Sequence, residues 1–198
     1  SLSTLQRMPV SELPVYGLYT WGWEYAKYRD SINKVGFRSI RLGGALTDRE
    51  FKMMVEDGME VMFTLATDKA DTPSVLKRDS YESDEIFIES YLEYITKILA
   101  RYGPDGTFFK ENHGLPENPV MHVEIWNEPN FCYMISDDPA IERKAMDAKR
   151  AALYAKLLPA AYTHIRDKWP EVNVVGFSGG GSAAADIGFI DSVHKNNP

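Results

Sequence analysis

The sequence predicts an α/β protein built on a parallel sheet. A short β-rich run followed by a longer helical stretch recurs five times along 198 residues. Strands that alternate with helices imply parallel pairing through crossover helices. The composition, 44% hydrophobic and 26% charged, is that of one ordinary globular domain over residues 1–198. It excludes a disordered tail, a collagen and a coiled coil. Two architectures fit, a doubly wound open sheet and a (β/α)8 barrel. By count alone five units suit the open sheet, since a barrel has eight and about 250 residues.

The elements follow in order. Pro14 to Trp21 is the first strand, with a helix after it from Glu24 to Lys34. Gly36 punctuates, and Phe37 to Leu42 is the second strand. Gly43-Gly44 turns the chain. Thr47 ahead of Asp48-Arg49-Glu50 makes a capping box for a helix ending near Asp57. Met59 to Thr67 is the third strand, followed by an exposed loop, Asp68 to Asp84, with a turn near Pro73. Ile88, Tyr91, Leu92, Ile95, Ile98 and Leu99 carry the 3.6 period of a helix from about Asp84 to Tyr102. Gly103 to Pro119 reads as a loop, and Val120 to Trp126 as the fourth strand. Asp138-Pro139 opens a helix that runs to about Trp169, with a kink expected at Pro159. Val172 to Phe177 is the fifth strand. Ser178 to Ala185 is a small-residue loop before a last helix, Asp186 to Lys195.

Acids exceed bases, 29 to 22, for a net charge of −7. No basic stripe points to a nucleic-acid partner. No apolar run reaches the roughly 18 residues of a membrane span. Cys132 is the single cysteine, so no intrachain disulfide forms. His113, His122, His164 and His194 show no metal-ligand spacing, and no cofactor is implied. The glycines after Phe177 lack the lysine of a phosphate loop and read as a turn at the sheet edge.

The chemistry concentrates where strand four ends, Glu124-Ile125-Trp126-Asn127-Glu128-Pro129-Asn130. Pro129 stops the strand. Asn127 and Glu128 therefore sit at the carboxyl edge of the sheet, where active sites lie in both architectures. Partial desolvation there makes a carboxylic acid a usable proton donor near neutral pH. Asn127 offers a donor and an acceptor to a substrate hydroxyl. By alternation, His122, Glu124 and Trp126 share the inward face, with Met121, Val123 and Ile125 toward the helices. A buried Glu124 needs a partner, and Arg41 on strand two is the natural one by layer. Tyr19, Trp21 and Trp23, at the end of strand one, could stack on a sugar or simply pack.

This string resembles the acid/base signature of retaining glycoside hydrolases with a (β/α)8 barrel, clan A, and within that clan most resembles family 39. The resemblance turns the architecture from open sheet to barrel, with about the first five of its βα units present and strands six to eight missing. It implies that Glu128 is the general acid/base and that Asn127 binds the sugar 2-hydroxyl. It also implies that Arg41 lies beneath the catalytic carboxylates, with Trp126, Trp21 and Trp23 shaping the carbohydrate site. Gly43-Gly44 departs from the His-Gly that the family often has after strand two. The nucleophile of the clan follows strand seven, outside these residues. Asp68, after strand three, and Asp186, after strand five, are the local acids that could substitute for it, and they read as loop or cap residues.

The expected function is retaining hydrolysis of β-glycosides, with a non-catalytic carbohydrate-binding or scaffold protein as the alternative. The expected partners are a carbohydrate and either the missing part of the barrel or a second copy, joined through the open strand edges. A polysaccharide substrate leans the location toward secretion or the periplasm.

Overall fold

The computed structural model describes residues 17–66, 77–131, 134–180 and 183–197. Pro14, Thr67, Asp68, Pro73 and Cys132 lie outside the described residues. Five strands, β1 (Gly17–Trp21), β2 (Ser39–Gly43), β3 (Glu60–Leu65), β4 (His122–Ile125) and β5 (Asn173–Val175), form one sheet in the order β1-β2-β3-β4-β5. Every pairing is parallel. Doubly wound sheets reverse their strand order at a switch point. This sheet shows no reversal among the described residues.

Among the described residues six α-helices connect and flank the strands: α1 (Gly22–Val35), α2 (Asp48–Glu56), α3 (Asp84–Tyr102), α4 (Thr107–Glu111), α5 (Arg143–Lys168) and α6 (Ala183–Asn196). Gly36 closes α1 with a left-handed φ of 91°, a conformation that costs glycine nothing. The capping box of α2 is present: the Thr47 hydroxyl accepts from Glu50 N–H, and the Glu50 carboxylate accepts from Thr47 N–H. Helix α3 buries Phe87, Tyr91, Ile95, Leu99 and Tyr102, one residue per turn.

Three expectations are corrected. The loop after Gly103 contains α4, because Phe108 packs against Phe51 with ring centroids 4.9 Å apart. Asp138 does not open α5. It caps a separate turn, accepting from Ala140 N–H at 2.9 Å, and α5 starts at Arg143 and continues through Pro159 as one helix. Asp186 lies inside the first turn of α6 rather than capping it.

Side chains alternate across the sheet. Ile40, Leu42, Val61, Phe63, Leu65, Val123 and Ile125 are buried in the apolar core with the helices. Tyr19, Arg41, Met62, Thr64, His122 and Glu124 occupy the other face, which holds a hollow of about 310 Å³ reaching down to Gly17 and Glu60. The polar residues singled out in the sequence therefore share one face. No helix among the described residues is long and apolar enough to cross a membrane.

Candidate active site

Arg41 organises the polar face. It stands two residues lower in register than Glu124, because Arg41 aligns with Met62 and Met62 with His122. Its guanidinium leans toward the carboxyl edge. There Nη2 lies 2.6 Å from Glu124 Oε2 and donates to Asn127 Oδ1 at 2.8 Å and to Ser178 Oγ at 3.0 Å. On a flat sheet β4 and β5 stand about 10 and 14 Å from β2. One nitrogen from β2 thus joins a side chain of β4 to side chains from the segments that follow β4 and β5.

Glu124 is 4% exposed and is satisfied twice, by Arg41 and by the Thr64 hydroxyl at 2.7 Å. A buried carboxylate held this way is a structural counter-charge. Asn127 has its oxygen fixed by Arg41, and its amide Nδ2 has no acceptor among the described residues. Asn127 and Glu128 are both half-buried. Among the described residues, the Glu128 carboxylate has no hydrogen-bond or ion-pair partner. Gly180 borders it, and the Asn130 side chain holds Gly180 by donating to its C=O at 2.8 Å and accepting from its N–H at 3.2 Å. Asn130 also donates to Asp186 Oδ1 at 3.2 Å, so Asp186 serves as an anchor for the loop after β5.

Four non-glycine residues among those described have positive φ, and three of them border this site: Trp126 (66°), Glu128 (46°) and Phe177 (62°). Bulky residues in that region cost of order 1–3 kcal/mol each, and such strain clusters at functional sites. Nothing in the sequence signalled it, since no glycine stands at these positions.

The strain overturns the expected orientation of Trp126. A left-handed φ breaks the alternation of β4 and swings the indole into the helix layer. The ring is fully buried, 6.0 Å from Phe87 and 5.5 Å from Tyr91 by centroids, and among the described residues its Nε1 has no hydrogen-bond partner. Trp126 therefore anchors the strand end and does not line the open face. Trp21 is half-buried, edge-on to Tyr19 at 6.1 Å and close over Gly44. Tyr19 in turn lies under the Arg41 guanidinium, 4.9 Å from ring centroid to Cζ. Trp23 is 56% exposed on the first turn of α1. These aromatics stand three strands from Glu128.

Neither protein-family models nor curated proteins show a match to this chain.

Proposed function

We propose that the chain forms the first five βα units of a (β/α)8 barrel and carries the acid/base half of a retaining β-glycosidase site. One observation supports this above the others. Glu128, a half-buried carboxylate without a partner among the described residues, leaves the end of a parallel strand beside a carboxamide that Arg41 holds in one orientation. Glu128 protonates the departing glycosidic oxygen, then takes a proton from the water that releases the sugar. Asn127 Nδ2 donates to the 2-hydroxyl, a contact that strengthens as charge develops at the anomeric carbon. Arg41 keeps Asn127 in place and neutralises Glu124.

Retention requires a second carboxylate about 5 Å from Glu128. Glu124 and Asp186 are engaged elsewhere, so the nucleophile is assigned to a later strand of the completed barrel. Among the described residues β1 pairs only with β2, and β5 only with β4. Val175, Phe177, Ile187 and Ile190 are exposed beside β5, where strands six to eight would cover them. An intact-mass measurement on native protein tests for such strands.

The second reading is a sugar-binding protein. It is favoured by the exposed Trp23 and half-buried Trp21 at the rim, together with the engagement of both nearby acids. Aryl β-glycosides with Glu128→Gln as control separate the two. Hydrolysis by wild type and its loss in the variant support the enzyme, whereas saturable sugar binding without hydrolysis, equal in both proteins, supports the binding protein.

A further inference from the structure

The peptide group joining Ile125 to Trp126 is gripped at both polar atoms by phenols from different helices. Tyr91 of α3 accepts from Trp126 N–H at 3.2 Å and donates to Leu65 C=O at 2.5 Å. Tyr154 of α5 donates to Ile125 C=O at 2.8 Å and accepts from Phe177 N–H at 3.0 Å. Tyr91 thus ties the end of β3 to the end of β4, and Tyr154 ties β4 to the segment after β5. Both rings are fully buried. Burial pushes both phenols well above their ordinary range, so each stays a neutral hydroxyl that donates and accepts at once.

The location is what gives these contacts meaning. The β3–β4 ladder ends at Leu65↔Ile125, and the β4–β5 ladder ends at Glu124↔Val175. Beyond those pairs the strands diverge, and their buried N–H and C=O groups need other partners. The backbone also turns left-handed there, at Trp126 and Phe177. The peptide plane between residues 125 and 126 sets the direction from which φ of Trp126 is measured. Fixing that plane fixes the path by which Asn127 and Glu128 leave the strand.

We propose that Tyr91 and Tyr154 are positioning residues, a two-sided clamp on the 125–126 peptide that holds Asn127 and Glu128 in their working geometry. Neither touches the open face. They act through Trp126, whose indole also leans on Tyr91. The consequence for turnover rests on the glycosidase reading, but the geometric claim does not.

The test uses Tyr91→Phe and Tyr154→Phe, each of which removes a single oxygen. Tyr102→Phe is the control. It deletes a hydroxyl that donates to Asp48 at 2.8 Å, at the C-terminal end of α3 and three turns from Tyr91. The readouts are amide exchange at Trp126 and Phe177, the Asn127 side-chain amide signals and the Glu128 carboxyl carbon signal by NMR, and the melting temperature. Exchange is expected to quicken at Trp126 in Tyr91→Phe and at Phe177 in Tyr154→Phe. The Asn127 and Glu128 signals move in both, and not in Tyr102→Phe. On an activated aryl β-glycoside, kcat falls about tenfold with KM little changed. Unmoved Asn127 and Glu128 signals, with melting lowered as in Tyr102→Phe, would reduce the tyrosines to core packing and overturn the proposal. If one variant fails to fold, the other carries the same expectation. A wild type that cleaves no glycoside while the signals still move would sink the glycosidase reading and leave the clamp standing.

Discussion

A β-carbon placed on Gly180 would lie 2.6 Å from the carboxyl carbon of Glu128. The loop after β5 and the carboxylate after β4 thus share space that only glycine leaves open. Asn130, the last residue of the motif, pins that loop by two hydrogen bonds to the Gly180 backbone. The motif therefore supplies both the carboxylate and the residue that shapes its surroundings.

Gly180→Ala tests this arrangement. The added methyl meets the carboxyl end of Glu128 and the ring edge of Phe131, both movable. The fold survives, with melting shifted by a few degrees, while turnover falls by about a hundredfold because the carboxylate is displaced. Unchanged kinetics would show that the position of Glu128 does not matter.

Arg41 and Glu124 couple stability to the site. Arg41→Met leaves Glu124 buried without a counter-charge, a loss of about 3 kcal/mol or more. Arg41→Met combined with Glu124→Met removes both charges and recovers most of that stability in urea unfolding. Activity stays low in the double variant, since Asn127 loses the donor that orients it. Activity returning with stability would mean that Arg41 acts only as a structural ion-pair partner.

Acid stability should be governed in part by Asp57, at the end of α2. It accepts from the Tyr25 hydroxyl at 2.6 Å, Arg29 Nε at 2.7 Å and Asn33 Nδ2 at 2.9 Å. Burial pushes its carboxyl up, but these bonds outweigh burial and hold it at about 2, below the ordinary 3.8. The folded value lies under the unfolded one, so the contribution is complete above about pH 5 and fades as pH falls toward 2. A difference of that size is about 2 kcal/mol. Wild type is expected to lose this increment between those limits, and Asp57→Asn to start lower and show a flatter acid slope. Parallel slopes would show that Asp57 does not govern acid stability.

Much of this was legible in the sequence wherever the cause was local. The Thr47–Glu50 box and the one-per-turn spacing of α3 involve neighbours in the chain. The Arg41–Glu124 pair also followed, from alternation and the parallel layers. Trp126 was misplaced because alternation holds only while φ stays extended, and its left-handed turn has no glycine to announce it. Tyr91 read simply as a core position of a helix, and Tyr154 carried no signal. Their hydroxyls matter through strand ends 23 to 35 residues away, a relation that period and propensity do not encode. Phe108 similarly formed α4 through distant aromatic packing rather than local preference.

The role of Glu128 as the acid/base is tested most directly by the leaving-group dependence of Glu128→Ala. Native protein and variant are compared on 2,4-dinitrophenyl and plain phenyl β-glycosides, with and without azide. A leaving group that needs no proton bypasses the missing acid in the first step. Azide then replaces the water that Glu128 would have activated. The expected result is retained glycosyl transfer from the dinitrophenyl substrate, near-complete loss on the phenyl substrate, and azide acceleration yielding a β-glycosyl azide. Equal losses on both substrates with no azide product, or no loss at all, would contradict the assignment of Glu128.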